Sequence, residues 1–182
     1  MLHGERVTLR PVRAEDVATM RSWFTERALS STWGRDPVVP ENYLEADVNG
    51  RFTVFDRDGC FAVDDEHGSL IGRIDFNDLD PVDRTAELSV MLGATSGRGK
   101  GYGTDAFHTL IDHLFNDRQV ERLWLSVLPF NEPAIGLYEK LGFVHEGRLR
   151  STVWIDGGWH DLLLMGMLKS EYRQLAASSA IA

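Results

Sequence analysis

Glycines alternate with other residues from Gly97 to Gly103, between an apolar strand-like run at 86–92 and an amphipathic helix-like run at 103–115. This order constrains the fold most, because it demands a strand and a helix joined by a glycine-rich turn. A loop with so few Cβ atoms can turn its backbone N–H groups inward, and a helix N-terminus adds partial positive charge. The segment therefore predicts a binding site for an anionic group, most often a phosphate.

Hydrophobic periodicity predicts further strands and helices around this loop. Their order is β-α-α-β-β-β-α-β-α-β-β, which indicates a mixed α/β layer fold with a central sheet of about seven strands. Strands are predicted at 7–12, 60–64, 70–77, 86–92, 123–127, 143–148 and 162–168, and helices at 14–24, from Pro40, at 103–115 and at 133–141. No repeat or linker divides residues 1–182, so we expect a single domain, with residues 174–182 as a frayed tail.

The charge balance narrows the classes of partner. With 28 acidic and 19 basic residues, the chain has a formal net charge of −9, which argues against binding to nucleic acid or to an anionic membrane and favours cationic partners. The single cysteine, Cys60, excludes an intrachain disulfide and reads as a small buried hydrophobe in a reducing compartment. The N-terminus has no apolar signal-peptide core, and no apolar run approaches the ~20 residues that span a bilayer. We therefore expect a soluble cytoplasmic protein.

The glycine loop differs from two common phosphate-binding motifs. A Walker A loop requires Ser or Thr after Gly-Lys, whereas Lys100 is followed by Gly101 and Tyr102. The dinucleotide fingerprint G-x-G-x-x-G requires a wider final spacing than the uniform spacing of two found here. The segment that does match is Arg98-x-x-Gly101-x-Gly103, which resembles the Q/R-x-x-G-x-G/A signature of the GCN5-related N-acetyltransferases (GNATs).

A second segment strengthens this resemblance. Asn131–Phe143 reads NEPAIGLYEKLGF and is similar to the second GNAT signature, N-x-x-A-x-x-L-Y-x-K-x-G-F. On these two segments the chain is identified as a member of the GNAT superfamily. The opening at 7–11 and the ending at 146–161 resemble the RimJ/RimL-like branch, which acetylates ribosomal-protein alanine, although spermidine acetyltransferases share much of that ending.

The resemblance implies a GNAT fold in which the fourth and fifth predicted strands are parallel and splay apart at a bulge. The backbone of Val90, Met91 and Leu92 would then bind the pantetheine arm of coenzyme A. The pyrophosphate would be held by backbone N–H groups of the loop, formed by Arg98, Gly99, Lys100, Gly101, Tyr102, Gly103 and Thr104. The Arg98 and Lys100 side chains either add charge there or are solvated. Asn131 is expected to contact the pantetheine, to cap the following helix, or both.

Two residues are predicted to carry the chemistry. The resemblance places Tyr138 as the general acid toward the thioester sulfur, the alternative being a packed aromatic with a satisfied hydroxyl. Glu87 is the candidate base or water-holding residue, the alternative being an edge-strand glutamate in water. Glu87 also ends a run of five carboxylates with Asp75, Asp78, Asp80 and Asp83, which is either a solvated hairpin rim or a means of steering a cationic amine. The histidines form no ligand cluster, so we expect no metal.

These expectations describe an acetyl-CoA-dependent N-acetyltransferase that acts by direct attack in a ternary complex. Cys60 lies outside both signatures, so no covalent enzyme intermediate is expected. The favoured acceptor is a protein N-terminal α-amine. The alternatives are a polyamine or an aminoglycoside-like antibiotic, or a non-catalytic acyl-CoA sensor. The protein would be a monomer or a homodimer.

Overall fold

The computed structural model describes residues 1–25, 57–93 and 99–179. Within these ranges the backbone forms one mixed sheet of eight strands, in the spatial order β1-β2-β3-β4-β5-β6-β8-β7. The strands are β1 Leu2–His3, β2 Val7–Pro11, β3 Gly59–Asp65, β4 Leu70–Asp80, β5 Thr85–Leu92, β6 Arg122–Val127, β7 Val144–Ile155 and β8 Gly158–Leu168. The predicted mixed α/β class is confirmed, and the strand beyond the expected seven is the two-residue β1, which pairs with β2.

Four helices flank the sheet in the part of the chain that the structure describes. They are α1 Asp16–Thr25, α2 Tyr102–Asp112, α3 Glu132–Leu141 and α4 Lys169–Ser179, and a π-helical turn at His113–Asp117 continues α2. The helix predicted from Pro40 lies outside the described residues. No helix in the described ranges has the length and apolarity needed to cross a membrane.

The expected frayed tail is wrong for residues 174–179, which belong to α4. Two contacts explain why this segment is ordered. The ring of Tyr172 packs against that of Phe115 with centroids 5.4 Å apart. The Leu175 side chain fills the space beside Gly142, where an added Cβ would lie 2.3 Å from Leu175 Cδ1. Tertiary packing, which local sequence does not reveal, therefore holds α4 against the rest of the described structure.

The core lies mainly between the sheet and α2. The helix buries one stripe, because Ala106, Phe107, Leu110 and Ile111 recur at helical spacing. These residues pack in one cluster with inward-facing strand residues that include Leu9, Ile74, Phe76, Leu88, Leu123 and Leu125. A smaller cluster on α1 and the neighbouring strands joins Met20, Trp23, Ala62 and Met91. The helix α2 thus packs on the sheet in the larger cluster, and α1 packs on it in the smaller one.

The parallel strands β5 and β6 pair only at their beginnings. Their ladder joins Thr85 to Arg122, Ala86 to Leu123 and Glu87 to Trp124, and it ends there. Beyond Glu87, β5 continues to pair with β4 up to Leu92, and β6 continues to pair with β8 up to Val127. The two strands diverge because each follows its other neighbour. The predicted splay is confirmed, but its implied cause is wrong, since the ladder between the two strands contains no bulge and the register shift nearby lies in β4, between Asn77 and Asp80.

Candidate active site

A cleft of about 610 Å³ opens where β5 and β6 diverge. Its walls come from β5, from the end of β6 with the loop that follows, from α3, and from the β7–β8 hairpin. Seven residues predicted for the site line it: Glu87, Val90, Met91, Leu92, Gly99, Asn131 and Tyr138. The splay therefore brings both predicted catalytic residues and five of the eleven predicted cofactor contacts to one cavity.

The β5 wall offers backbone groups to a ligand. Val90 and Leu92 pair with β4 on one side, while the opposite edge of β5 has no strand partner beyond Glu87 among the described residues. The Met91 side chain is buried with Met20 and Trp23 on the α1 side, so it anchors the strand. An extended ligand can therefore pair with unsatisfied N–H and C=O groups along this edge.

The glycine loop leads directly into α2. Gly99 and Gly101 have positive φ angles of 72° and 85°, and Gly101 is the N-cap, with no side chain capping the helix. The first-turn N–H groups include those of Tyr102, Gly103 and Thr104. They have no intrahelical acceptor, because no helical carbonyl precedes them by four residues. The start of α2 lies close to the cleft, since a Cβ on Gly103 would be 3.1 Å from Leu92 Cδ1 and 3.5 Å from Leu137 Cδ2.

Not every predicted loop residue faces the cleft with its side chain. The Tyr102 ring is buried, and its hydroxyl donates to Glu66 Oε1 at 3.1 Å, so only its backbone is available to a cofactor. The Lys100 side chain is exposed. Arg98 lies outside the described residues.

Tyr138 is fixed in the cleft by the way α3 ends. The N–H of Phe143 donates to the Tyr138 carbonyl at 2.9 Å, and the N–H of Gly142 donates to the Glu139 carbonyl at 3.0 Å. With Gly142 at a φ of 99°, this is a Schellman motif, and the Tyr138 and Phe143 rings make its hydrophobic contact at 6.1 Å. Phe107 of α2 packs edge-on against Tyr138 at 5.4 Å. The Gly-Phe that ends the second signature therefore has a structural purpose, which is to hold the Tyr138 ring.

The Tyr138 hydroxyl remains a hydrogen-bond donor throughout the ordinary pH range. The residue is 7% exposed, and burial raises the pKa of Tyr138 to about 12. No described side chain or backbone group hydrogen-bonds this hydroxyl, and the residue lines the cleft. It can therefore donate to a group that enters the cavity.

Asn131 performs the capping role that was one of its two predicted functions. Its side-chain oxygen accepts from the Ala134 N–H at 3.4 Å as the N-cap of α3. It also lines the cleft. A cofactor contact by Asn131 stays a prediction, because capping and cleft lining are compatible.

Glu87 lies on the cleft wall, as expected of a candidate base. Its side chain is partly buried, and burial raises its pKa, with a further contribution from the negative charge of Asp78. A carboxylate whose pKa is raised accepts a proton more readily. Glu87 is also the only charged residue among the described residues that line the cleft.

The five carboxylates do not form one solvated rim. Asp75 is 2% exposed and pairs with Arg73, whose Nη2 donates at 2.7 Å. The Ser89 hydroxyl also donates to Asp75, at 3.1 Å. Asp80 instead accepts from the N–H groups of Val82 and Asp83 and closes the β4–β5 turn. The interpretation as a rim is therefore wrong for Asp75, because the register of β4 against β5 turns that side chain inward.

Other cleft residues were not singled out from the sequence. They include Asn77, Ser89, Ser126, Val127, Leu128, Pro133, Ala134, Leu137, Val153 and Leu162. Ser89 and Asn77 share the strand face of Glu87 and of the Arg73–Asp75 pair, so the polar alternation in 73–77 was the available signal. The sequence around Val153 and Leu162 gave no such signal, because only the tertiary structure brings the β7–β8 hairpin to this cavity. Within the described ranges, no group of three or more His, Cys, Asp or Glu could hold a metal ion.

Comparison with known proteins decides the family. Residues 6–144 match the acetyltransferase (GNAT) domain family. The chain belongs to the GNAT acetyltransferases. The spermidine N(1)-acetyltransferase of Vibrio cholerae serotype O1 is 27% identical over 169 residues, covering 93% of this chain and 96% of that protein. The putative ribosomal N-acetyltransferase YdaF of Bacillus subtilis is 30% identical over 151 residues, covering 82% and 77%.

A solved structure supports the same assignment. The crystal structure of spermidine N-acetyltransferase from Vibrio cholerae in complex with CoA and spermine has a TM-score of 0.84, with 28% identity, and covers 92% of this chain and 98% of that one. This GNAT acetyltransferase is therefore an enzyme that uses acetyl-CoA as acyl donor. Because the relatives carry both spermidine and ribosomal names, the RimJ/RimL-like branch stays a prediction.

Proposed function

We propose that this enzyme acetylates a primary amine of a small polycationic acceptor of the polyamine type. The observation that carries the proposal is the likeness, over nearly the whole chain, to a spermidine N-acetyltransferase whose structure contains CoA and spermine. The charge of the site agrees with it. The described cleft lining contains no Lys or Arg, its one charged residue is Glu87, and Asp78 lies near enough to influence the pKa of Glu87. An ammonium group is favoured in such surroundings.

In the proposed mechanism acetyl-CoA lies in the splay. Its pantetheine amides pair with the free edge of β5 at Val90–Leu92, and its pyrophosphate accepts from N–H groups of the loop at 99–104 and of the first turn of α2. A helix N-terminus stabilises such an anion through its unsatisfied N–H groups and its partial positive charge. These local donors are required, because a protein of net charge −9 attracts no anion through its overall field.

The acceptor must lose a proton before it attacks, since alkyl amines have pKa values near ~10. Glu87 accepts that proton, directly or through a water molecule. The amine nitrogen then attacks the thioester carbonyl carbon, a C–N bond forms, and the C–S bond breaks. The sulfur leaves as a thiolate that accepts a hydrogen bond from the Tyr138 hydroxyl, and the nitrogen releases its second proton to solvent. The products are an N-acetylated amine and coenzyme A.

The acceptor is tested by measuring thiol release from acetyl-CoA with three amines: spermidine, a peptide with a free N-terminal alanine, and an aminoglycoside. We expect kcat/KM to be at least about tenfold higher for spermidine than for the peptide, since about 1.4 kcal/mol of charge recognition gives that ratio. A higher kcat/KM for the peptide would overturn the proposal.

Asp78 provides a sharper test of charge recognition. Its φ of 51° lies in the left-handed region, which asparagine tolerates well, so Asp78→Asn removes the charge and preserves the backbone. We expect this variant to raise KM for spermidine about three- to tenfold, since an exposed ion pair contributes roughly 0.2–1 kcal/mol and a partly desolvated one more. Asp83→Asn, on the exposed β4–β5 turn, is the matched control. Equal KM values in Asp78→Asn and the parent protein would remove Asp78 from the acceptor site.

The N-terminal α-amine expected from the sequence is the second candidate. The similarity to the putative ribosomal N-acetyltransferase YdaF favours it. The same assay distinguishes it, because a ribosomal-type enzyme would prefer the alanine peptide and would show no dependence on Asp78.

A further inference from the structure

The glycine loop is held by a residue from the beginning of the chain. Arg6, in the turn between β1 and β2, donates from Nη1 to the Lys100 carbonyl at 2.5 Å. The same guanidinium donates to both oxygens of Glu66 at 3.2 Å and lies 4.7 Å from the centroid of the Tyr102 ring. The Tyr102 hydroxyl completes the group by donating to Glu66. Three separate segments thus meet at the loop.

A second contact ties the same turn to the first turn of α2. The Asp105 carboxylate accepts from the N–H groups of Glu5, Arg6 and Val7 at 3.1, 2.7 and 2.9 Å. The approach is so close that a Cβ on Gly4 would lie 2.6 Å from Asp105 Oδ2. These donors also offset a negative charge that would otherwise lie uncompensated in the helical turn where we place the pyrophosphate.

The contact with the Lys100 carbonyl determines the orientation of one peptide unit. In a trans peptide the C=O and the following N–H point in opposite directions. While Arg6 holds the Lys100 carbonyl, the Gly101 N–H points away from Arg6. Gly99 and Gly101 both have left-handed φ angles, and no atom of the described residues, chain neighbours apart, lies within 4 Å of the place where a Cβ on either would be. Glycine also permits a wide range of φ and ψ, so the loop itself restricts rotation of this peptide only weakly. A rotated peptide would present its carbonyl oxygen, and not its N–H, to a bound anion.

We propose that Arg6 is a positioning residue for the pyrophosphate of acetyl-CoA and acts by fixing the Lys100–Gly101 peptide. The inference rests on the proposed function, because it assumes that the loop at 99–104 binds that pyrophosphate. In this role Arg6 acts through the peptide and not through a contact with the cofactor: its Nε and Nη2 donate to Glu66, and its Nη1 donates to the Lys100 carbonyl. Glu66 and Tyr102 orient the guanidinium.

The proposal predicts that Arg6 matters only for ligands that contain a pyrophosphate. The test compares kcat/KM for acetyl-CoA with kcat/KM for S-acetylpantetheine, which keeps the thioester and the pantetheine amides but lacks the pyrophosphate and the nucleotide. For Arg6→Gln we expect kcat/KM for acetyl-CoA to fall about 10- to 150-fold, the size of one hydrogen bond to a charged group. The value for S-acetylpantetheine, and kcat with saturating acetyl-CoA, should be unchanged.

Two further variants distinguish positioning from charge and from folding. Arg13→Gln breaks another exposed ion pair in the N-terminal segment, with Glu15. It should leave kcat/KM for acetyl-CoA and kcat/KM for S-acetylpantetheine at their parental values. Arg6→Lys keeps the positive charge, but an ammonium group lacks the planar set of N–H donors with which the guanidinium binds Glu66 and the Lys100 carbonyl together. This variant should therefore not restore the preference for acetyl-CoA. Full restoration by Arg6→Lys would overturn positioning in favour of simple charge.

The remaining outcomes are also decisive. If Arg6→Gln lowers kcat/KM equally for both thioesters, the residue has a structural role only and the proposal is wrong. If Arg6→Gln keeps the full preference for acetyl-CoA, the contact with Lys100 is irrelevant to binding. If the parent protein shows no preference for acetyl-CoA over S-acetylpantetheine, the loop is not the pyrophosphate site, and this inference fails together with that part of the proposed function.

Discussion

Replacing Tyr138 with phenylalanine removes one hydroxyl group from the cleft and leaves the packing of the ring intact. The aromatic contacts with Phe107 and Phe143 involve only carbon atoms of the ring. The hydroxyl has no described hydrogen-bond partner that would be left unsatisfied. We therefore expect the free energy of unfolding to change by less than about 1 kcal/mol, which makes Tyr138→Phe a clean test of chemistry.

The expected loss of rate follows from the pKa of this hydroxyl. Burial raises the pKa of Tyr138 to about 12, whereas a thiol has a pKa of about 8.5. Complete proton transfer from tyrosine to the leaving thiolate would cost roughly 5 kcal/mol, since each pKa unit corresponds to about 1.4 kcal/mol. A hydrogen bond donated to the developing thiolate, which is worth about 1.5–3 kcal/mol, is the larger benefit. Its loss should lower kcat by about 10- to 150-fold.

The assay is thiol release at saturating acetyl-CoA and spermidine, together with the Kd of acetyl-CoA by calorimetry. We expect kcat to fall in Tyr138→Phe while Kd changes by less than about threefold, because the hydroxyl acts on the charge that develops as the C–S bond breaks. Tyr172→Phe is the matched control, since it removes the same hydroxyl from a partly buried ring on α4 that lies outside the cleft lining. A kcat within about twofold of the parent value would show that Tyr138 does not assist the leaving sulfur.

Two further predictions concern titratable groups. Burial and the charge of Asp78 raise the pKa of Glu87, so kcat/KM should rise with pH through that raised pKa. Glu87→Gln should abolish this limb of the pH profile, and an unchanged profile would exclude Glu87 as the base. The variant should also raise the Tm at neutral pH, because the buried carboxyl costs stability as the pH rises from the ordinary glutamate pKa to the raised one, and the cost is fully present above it. Arg10→Met should lower the free energy of urea unfolding by about 3–5 kcal/mol, because it leaves Asp16 and Asp64 buried without their shared guanidinium. Burial opposes ionisation of Asp16, but the hydrogen bonds from Arg10 and Arg13 outweigh it and lower the pKa of Asp16. The parent protein should therefore lose stability as the pH falls through that lowered pKa, and Arg10→Met should lose this pH dependence. A similar dependence of stability on acid pH in both proteins would contradict the assignment.

Several parts of the site could be predicted because they depend on neighbouring residues in the chain. The alternation of glycines permits the left-handed turns at Gly99 and Gly101, and Asn131 and Gly142 provide the two ends of α3. Capping and turn formation involve residues only a few positions apart, so their residue types alone carry the information. The identity of the acyl donor followed from the resemblance of these two segments to the GNAT signatures.

The surroundings of the carboxylates could not be predicted in the same way. Asp75 and Asp80 are five residues apart in one acidic run, yet Asp75 is buried against Arg73 and Asp80 closes an exposed turn. The shift between Asn77 and Asp80 places Asp75 and Asp80 on one face, because their partners Ser89 and Thr85 share a face of β5. They differ because Asp75 lies in the middle of the β4–β5 ladder and Asp80 at its end beside the turn, and the composition of the run does not specify this register.

The sequence by itself therefore determined the fold class, the position of the glycine loop and the residue that caps each end of the helix carrying Tyr138. Only the tertiary structure decided why β5 and β6 diverge, that Glu87 faces the resulting cleft, and that Arg6 supports the glycine loop from 94 residues away. The physical reason is the range of the interactions. Helix caps and turns are formed by hydrogen bonds between residues that are near neighbours in the chain. The cleft, in contrast, forms because β5 and β6 each pair with a different strand, and Arg6 reaches the glycine loop because segments distant in the chain meet in the folded protein.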